Sequence, residues 1–536
     1  MEARVASPPP AGPSPGAFAP FGFPAFTLLW TATLLSNTGT WMHDVAAGWL
    51  MTSLSPSPLV VSLVQASTSA AMALFALPAG ALADLFDRKR LLITLNILRM
   101  VLAVLLGVLT FAGLVTPWIL LAVTFLLGIC SALIAPAWQA IVPSLVPRET
   151  LPQAVALNAM GINVARAIGP AVGGVLIVSF GVAIVFVING LSELIVVAAL
   201  LLWKAPPRPA RGQPERFLPA IGAGLRFAAA SSRLRIVLIR ATAFFVFAAA
   251  YWSLLPVLVR NVMGGGAAEF GILVSAVGAG AVSAAIVLPY LSRHLGGADG
   301  LVRAGSIGTA LALGGFALAP SLPVAAAAAF GAGIAWILTL SSFNVAAQSA
   351  LPDWVRGRGL SIYGLVFYAA MTAGALLWGS LATYLGVATT LMIAAAGMLL
   401  GMLATRRKVL SAEPQDLAPA ASWPEPVVVL PVEGDRGPVL VTIEYRIRAE
   451  DRDAFLQAIR DLAGERRRDG AYAWSVWEDI ADPGRFVETF EEASWNEHLR
   501  HHARVTRADA DLHAGVQRLH VGPEPPRVTH LLKGAP

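Results

Sequence analysis

Long apolar stretches alternate with short polar breaks as far as residue 405. They lie near 25–51, 58–82, 91–113, 118–142, 152–178 and 182–203, then near 236–259, 270–291, 301–319, 323–347, 359–383 and 386–405. Each is close to the length of about 20 residues that a helix needs to cross a bilayer, so the pattern predicts twelve transmembrane helices. A basic, proline-punctuated stretch from Lys204 to Arg235 divides them six and six, and its segment from Phe217 to Phe227 predicts a short helix on the inner leaflet. A faint repeat relates the halves: Ser144 to Arg148 recurs 205 positions later as Ser349 to Asp353, and on that offset Gly169 falls on Gly374 and Gly174 on Gly379. After Arg406-Arg407-Lys408 the character changes. Residues 409–437 are rich in Pro, Ala and acids and read as a linker. From Val439 onward, alternation predicts strands at Val439–Tyr445, Tyr472–Trp477, Arg485–Phe490 and Arg527–Leu532, with helices at Glu450–Arg467 and from Ser494 to about Leu512. That βαββαβ order is the ferredoxin-like one. The fold class is therefore an all-α membrane protein of two six-helix halves plus a C-terminal α+β ferredoxin-like domain. Its expected parts are a tail without fixed structure (1–22), the N-terminal half (23–203), an inter-half linker (204–235), the C-terminal half (236–408), a second linker (409–437) and the soluble domain (438–533).

Composition agrees. Of 536 residues 56% are hydrophobic and only 13% charged, against roughly 25% charged in soluble domains. The formal net charge of +6 raises nucleic acid as a partner. Its distribution argues for a bilayer instead, because the bases gather in one set of loops. Arg88, Lys89, Arg90, Arg148, Lys204, Arg208, Arg211, Arg216, Arg293, Arg356 and Arg358 fall on one side, and only Arg260 on the other. The positive-inside rule then places both termini in the cytoplasm of an inner-membrane, multi-pass protein. The single cysteine, Cys130, excludes an intrachain disulfide. Met1 to Gly16 lacks the basic start of a cleaved signal, and no phosphate-binding G-x-x-x-x-G-K-[ST] loop is present to power an ATP-driven pump.

Two motifs carry a family resemblance. The run Gly80-Ala81-Leu82-Ala83-Asp84-Leu85-Phe86-Asp87-Arg88-Lys89-Arg90 between spans 2 and 3 resembles the G-x-L-A-D-R-x-G-R-K/R loop of the major facilitator superfamily, with Leu85 replacing an Arg and Asp87 a Gly. Arg166, Gly169, Pro170, Gly173 and Gly174 in span 5 resemble the G-P-x-x-G-G motif of exporters in that superfamily. Ser36 to Met42, Pro136 to Ala140 with Leu157-Asn158, and Arg356-Gly357-Arg358 are similar to the enterobactin-exporter-like branch of multidrug and siderophore efflux proteins. The resemblance implies a major facilitator fold that exports small amphipathic molecules by proton antiport, with no cofactor. Thr124, before Gly128, stands where many proton-coupled exporters carry an Arg in helix 4.

Candidate functional residues follow. Gly80, Asp84, Arg88 and Lys89, with Arg356 and Arg358 in the corresponding loop of the second half, form a candidate gate; the alternative is that these bases only set topology. Charges inside spans are costly and therefore candidates for function. Asp44 and Glu193 are the proton-coupling candidates. Asp44 and Arg166 sit within roughly 6 Å of the same depth at about 1.5 Å per residue, so they can pair, either as a proton-exchanging couple or as a static one. Arg99 and Arg240 read as snorkelling near the inner ends, and His43 as a polar neighbour of Asp44. Trp41, Trp138, Gln139, Tyr251, Trp252, Trp336 and Asn344 are substrate-path candidates, since aromatic and amide groups suit large amphipathic ligands.

The soluble tail resembles the dimeric α+β barrel domains of the antibiotic-biosynthesis-monooxygenase type, which implies a homodimer through this domain or a ligand-sensing role. His498, His501 and His502 share one helix face, a spacing that can hold a metal or heme. Glu497, Arg500 and Arg504 around them read instead as a wet, charged face, so neither a metal site nor a catalytic residue is expected. Trp474, Trp477 and Trp495 read as core or interface residues. The leading function is a secondary active exporter acting on a small-molecule substrate, protons and the lipid bilayer. The alternatives are a membrane-anchored monooxygenase-like enzyme and a transporter-like sensor.

Overall fold

The computed structural model describes residues 16–205, 217–319, 321–410, 416–418, 420 and 432–534. Most of the expected 1–22 tail, Arg208, Arg211 and Arg216, and most of the 409–437 linker lie outside the described residues, as does the side chain of Asp84.

The first half comprises α1 (Pro24–Leu54), α2 (Pro58–Leu85), α3 (Arg88–Phe111), α4 (Pro117–Ile141), α5 (Leu151–Phe180) and α6 (Val182–Leu202). A linker helix, α7 (Phe217–Ala230), precedes α8 (Ser232–Val257), α9 (Ala267–His294), α10 (Gly297–Leu318), α11 (Leu322–Ser349), α12 (Arg356–Leu385) and α13 (Val387–Thr405). Local chemistry sets the boundaries. Pro58 and Pro117 open α2 and α4, where a missing N–H costs nothing. Asp87 caps α3 by accepting from the Arg90 amide at 2.8 Å. Gly181 (φ +84°) and Gly386 (φ +78°) make the tight α5–α6 and α12–α13 turns in a region that L side chains rarely adopt. These two glycines are themselves 205 positions apart.

Among the described residues, eleven helices are long and apolar enough to cross a membrane. The 31-residue α1 is outside that set. Its middle carries Asn37, Thr38, Thr40, His43 and Asp44.

The halves repeat one arrangement. In the first, α1 packs on α5 and α6, α2 on α4, and α3 on α4 and α6; in the second, α8 packs on α12 and α13, α9 on α11, and α10 on α11 and α13. The halves meet along α5 against α9 and α12 against α2. At the end bearing the α1–α2 turn, Arg260 donates to Thr52 Oγ1 (3.0 Å) and Ser53 Oγ (2.6 Å), and its guanidinium lies 5.4 Å over the Trp49 ring. The Leu59 amide also donates to Thr383 Oγ1 there at 3.3 Å, so this end is clasped shut.

The C-terminal domain is a four-stranded antiparallel sheet of β1 (Val439–Arg446), β2 (Tyr472–Glu478), β3 (Arg485–Glu492) and β4 (Arg527–Leu532), in the order β2-β3-β1-β4. It is covered by α14 (Arg452–Asp469), α15 (Trp495–Arg504) and α16 (Arg507–Gln517). The sequence predicts one helix from Ser494 to about Leu512, and here the structure differs. Val505 is non-helical, and Thr506 starts a new helix through a reciprocal capping box with Asp509. The domain meets the helical bundle where α14 packs on α7. Arg504 lies 4.5 Å over Trp354, between α11 and α12, and Arg468 lies 5.7 Å over Phe227 of α7.

Candidate functional site

Polar groups inside the first half converge on Arg99. Its guanidinium pairs with Glu193 at 3.1 Å and donates to Thr40 Oγ1 at 2.8 Å, joining α3, α6 and α1. The sequence reading of Arg99 as a snorkelling residue is therefore corrected. Helix α3 begins at Arg88, so Arg99 lies about 16 Å along it, near mid-membrane, at 1.5 Å per residue. Depth counted from Arg88 was the signal that would have found it. Glu193 is fully buried and pairs with this cation through Oε1, while neither of its oxygens makes a hydrogen bond among the described residues. Asp44 stands one turn beyond Thr40 on α1, is exposed, and makes no ion pair among the described residues. The expected Asp44–Arg166 pair does not form. His43 is buried against Phe186, with ring centroids 4.8 Å apart.

Arg166 faces aromatic rings instead. Its guanidinium lies 5.1 Å over Trp41. Trp41 neighbours Trp252 (6.3 Å), Trp252 neighbours Trp336 (5.7 Å) and Tyr251 (5.3 Å), and Trp336 continues to Phe245 (5.5 Å) and Phe367 (6.2 Å). Helices α1, α8, α11 and α12 thus supply one aromatic cluster across the boundary between the halves, and α5 supplies its cation. Trp336 Nε1 and Arg166 Nε are buried there without a hydrogen-bond partner. Four substrate-path candidates come together: Trp41, Tyr251, Trp252 and Trp336. Trp138 packs in a separate core of the first half with Ile134 and Trp30, Gln139 is exposed, and Asn344 is half-buried. Neither periodicity nor composition marked Phe245 and Phe367.

The span-5 motif works through close backbone approach. A methyl group on Gly169 would come within 2.7 Å of Trp41 Cβ and 2.8 Å of the Thr38 carbonyl oxygen. On Gly173 it would meet Met42 Cα at 3.1 Å, and on Gly174 the Ala267 carbonyl oxygen of α9 at 3.1 Å. Pro170 sits inside α5, and its carbonyl would lie 2.7 Å from a methyl group on Gly271.

Two of the gate candidates tie helices together at the terminal end of the bundle. Arg88 donates to the Ala140 carbonyl (3.2 Å) and Lys89 to that of Trp203 (2.6 Å), bracing α3 against α4 and α6. Gly80 lies half-buried near the end of α2. Arg356 pairs with Asp353 at 2.6 Å, and Arg358 lies against Gly224 of α7. Arg240 does not snorkel; it pairs with Asp299 and donates to the Lys408 carbonyl at 3.0 Å.

The expected wet histidine face of the C-terminal domain is also corrected. His498 and His501 are 1% and 0% exposed, because Glu492 at the end of β3 lies beneath α15 and takes both imidazoles. Burial opposes a charge on Glu492, yet hydrogen bonds from His498 and His501 hold it down to about 2. Burial likewise opposes a charge on His501, yet Glu465 and Glu492 raise it to about 9. His502 and His530 are each held down to about 4 by burial and by neighbouring imidazoles. Trp474 donates to Glu488 at 3.0 Å beside the buried Arg466, Trp495 is buried, and Trp477 is exposed.

A family model described as transmembrane secretion effector matches residues 15–535, nearly the whole chain. The staphyloferrin A transporter of Staphylococcus aureus is 29% identical over 273 residues, covering 50% of this chain and 67% of that protein. The enterobactin exporter of Shigella boydii serotype 4 is 28% identical over 366 residues, covering 67% of this chain and 85% of its own. Among solved structures, a bacterial homologue of the human lysosomal transporter Spinster, inward-facing and unoccupied, aligns with a TM-score of 0.58 at 17% identity, covering 73% of this chain and 99% of that one. A bacterial homologue of the iron transporter ferroportin, inward-facing, gives 0.54 at 17% identity, covering 72% and 98%. These two likenesses concern the fold.

Proposed function

The chain belongs to the transmembrane secretion effector family of major facilitator transporters and is a multi-pass secondary transporter, and on that premise we propose that it exports siderophore-like aromatic or amphipathic molecules across the inner membrane. The aromatic cluster between the halves carries this reading. Trp41, Tyr251, Trp252 and Trp336 offer flat faces that stack on an aromatic cargo without demanding one hydrogen-bond pattern. Arg166 adds a cation for an anionic group on that cargo. The names of the two curated relatives support this substrate class.

In this reading α1 is the twelfth span, its polar middle facing the pathway rather than lipid. Both termini lie in the cytoplasm, because Arg88, Lys89, Arg148, Lys204, Arg293, Arg356 and Arg358 all sit at the terminal end. The Arg260 clasp then closes the outer side, leaving the cargo to enter from within. Gly80, Asp84, Arg88, Lys89, Arg356 and Arg358 act at the inner gate, while Pro170 and Gly174 shape the face of α5 that meets α9, and Gly169 and Gly173 the face that meets α1. Protons drive export in exchange. Asp44 is the carrier, favoured over Glu193 because Arg99 already holds Glu193 while Asp44 is exposed and unpaired. The C-terminal domain is of the monooxygenase-like α+β barrel type and pairs two transporters through its sheet.

Substrate-triggered proton movement in proteoliposomes tests the mechanism. Flux in the wild type that disappears in Asp44→Asn supports antiport through Asp44. Substrate movement with no proton flux in either protein refutes proton antiport. Failure of a panel of catecholate and carboxylate siderophores to move at all refutes the substrate class.

A further inference from the structure

The C-terminal domain gathers three imidazoles at one point. His498 and His502 lie one turn apart on α15, and His530 comes from β4, the edge strand paired to β1. The rings of His502 and His530 are 4.7 and 4.6 Å from that of His498, and one nitrogen from each of the three lies within 4.8 Å of the others. His498 Nδ1 is bonded to Glu492 Oε2 at 2.6 Å. An ionised Glu492 only accepts, so Nδ1 carries the proton and Nε2 keeps its lone pair. That Nε2 is buried without a hydrogen-bond partner. A buried acceptor left unmatched is costly, and a carboxylate fixing the tautomer of a histidine is the usual support of a metal ligand.

We propose that His498, His502 and His530 bind a divalent transition-metal ion, with Glu492 as the positioning residue behind His498. Three neutral nitrogen donors and no carboxylate oxygen among the ligands suit zinc, copper, nickel or ferrous iron, and not magnesium or calcium. Metal–nitrogen bonds of 2.0–2.1 Å at tetrahedral angles bring the donors to about 3.3 Å apart. Rotation of His502 and His530, both only half-buried, supplies that contraction around the fixed His498. The fourth position goes to water. A second group of Glu465, Asp469 and His501 is close enough to hold an ion. It is already balanced internally, since Arg466 faces Glu465 and Arg468 pairs with Asp469 at 2.8 Å. The ion would tie β4 to α15, the helix whose last residue, Arg504, lies over Trp354 of the transport unit. Metal occupancy would thereby stiffen the contact between the two parts of the chain.

The test uses the full-length protein in detergent, freed of affinity tag and stripped with chelator, then titrated with cobalt(II). The expected result is one saturable equivalent with visible d–d absorption, displaced by zinc(II). His502→Ala and His530→Ala each lower the affinity at least tenfold, and Glu492→Gln lowers it about 10–100-fold. His513→Ala, outside the cluster, leaves it unchanged. If an alanine variant loses its circular dichroism signal, His530→Asn is read in its place. Absence of a saturable equivalent in the wild type overturns the proposal. So does equal affinity in the His502→Ala/His530→Ala double variant, which would put the ion elsewhere.

Discussion

Replacing Glu193 with Leu isolates what the buried ion pair does. Glu193 is fully buried, Arg99 is 12% exposed at its side chain, and they stand 3.1 Å apart. Removing the carboxylate leaves a guanidinium in the middle of the bundle whose one hydrogen bond among the described residues is to the Thr40 hydroxyl. Breaking such a pair from one side costs about 3–5 kcal/mol, since the surviving charge keeps its desolvation penalty. Arg99→Met strands the carboxylate and falls in the same range. The double variant removes both charges and fills the space with apolar atoms, which is neutral to within about 1 kcal/mol or stabilising. The coupling energy of the cycle is therefore about 3 kcal/mol or more. Unfolding in mixed SDS micelles, followed by circular dichroism, measures all four proteins. Single variants that each cost less than about 1 kcal/mol, or a double variant that costs the sum of the singles, would refute the reasoning. Transport by the double variant then separates roles: retained flux makes the pair structural and leaves proton exchange to Asp44.

Three further outcomes are expected. Gly278→Val places a side chain 2.6 Å from Ala167 Cα and 2.7 Å from the Arg166 carbonyl oxygen. Overpacking of about 1–3 kcal/mol should lower the melting temperature and transport together, while Gly314→Ala, with nothing within 4 Å of the new methyl group, should do neither. Arg166→Gln should weaken binding of an anionic aromatic siderophore at least tenfold, about 1.4 kcal/mol, and leave a neutral aromatic ligand unaffected, as read by tryptophan quenching. Trp354→Ala removes the Arg504 contact at 4.5 Å and the Phe227 ring contact at 5.8 Å. Hydrogen exchange should accelerate in α7 and α15 but not in β1 or β3, consistent with about 1–2 kcal/mol lost.

The parts of this chain that sequence revealed are those encoded locally. Apolar runs, Pro58, Pro117 and the period-2 alternation of β1 set elements without reference to distant partners. The break at Val505 was also local, in Thr506 and Asp509, but the helical periodicity around it masked the capping box. Pairings across helices were not legible. Asp44, Arg99, Arg166 and Glu193 are four charges at similar depth, and depth alone does not say which helices face each other. The packing of α3 on α6 gives Arg99 to Glu193, and that of α1 on α5 puts Trp41, not Asp44, under Arg166. In the C-terminal domain the charged neighbours of His498 suggested water. Glu492 lies on another element, and only the tertiary fold brings it beneath the helix.

The repeat at 205 positions acquires a physical meaning in the contacts of its glycines. Gly169 lies against α1, and its counterpart Gly374 against α8, where an added methyl group would clash with the Val246 carbonyl oxygen. Gly174 faces the start of α9 across the boundary between halves, and Gly379 faces Leu59 and Ser62 at the start of α2 across the same boundary. Each half therefore presents one helix whose glycines hold a neighbour within the half on one side and the opposite half on the other. Backbones that approach over glycine pack closely, so an added side chain at these positions separates the helices. The clasp of Arg260 on Thr52, Ser53 and Trp49 is of another kind, directional and confined to one end. Opening that end breaks its two hydrogen bonds and one ring contact, together with the Leu59–Thr383 hydrogen bond, and parts the glycine contacts of Gly174 and Gly379 that lie at the same end. Substitutions at Arg260 should therefore shift the balance between conformations, while bulky substitutions at Gly174 or Gly379 should prevent that end from closing and those at Gly169 or Gly374 should disturb packing within each half.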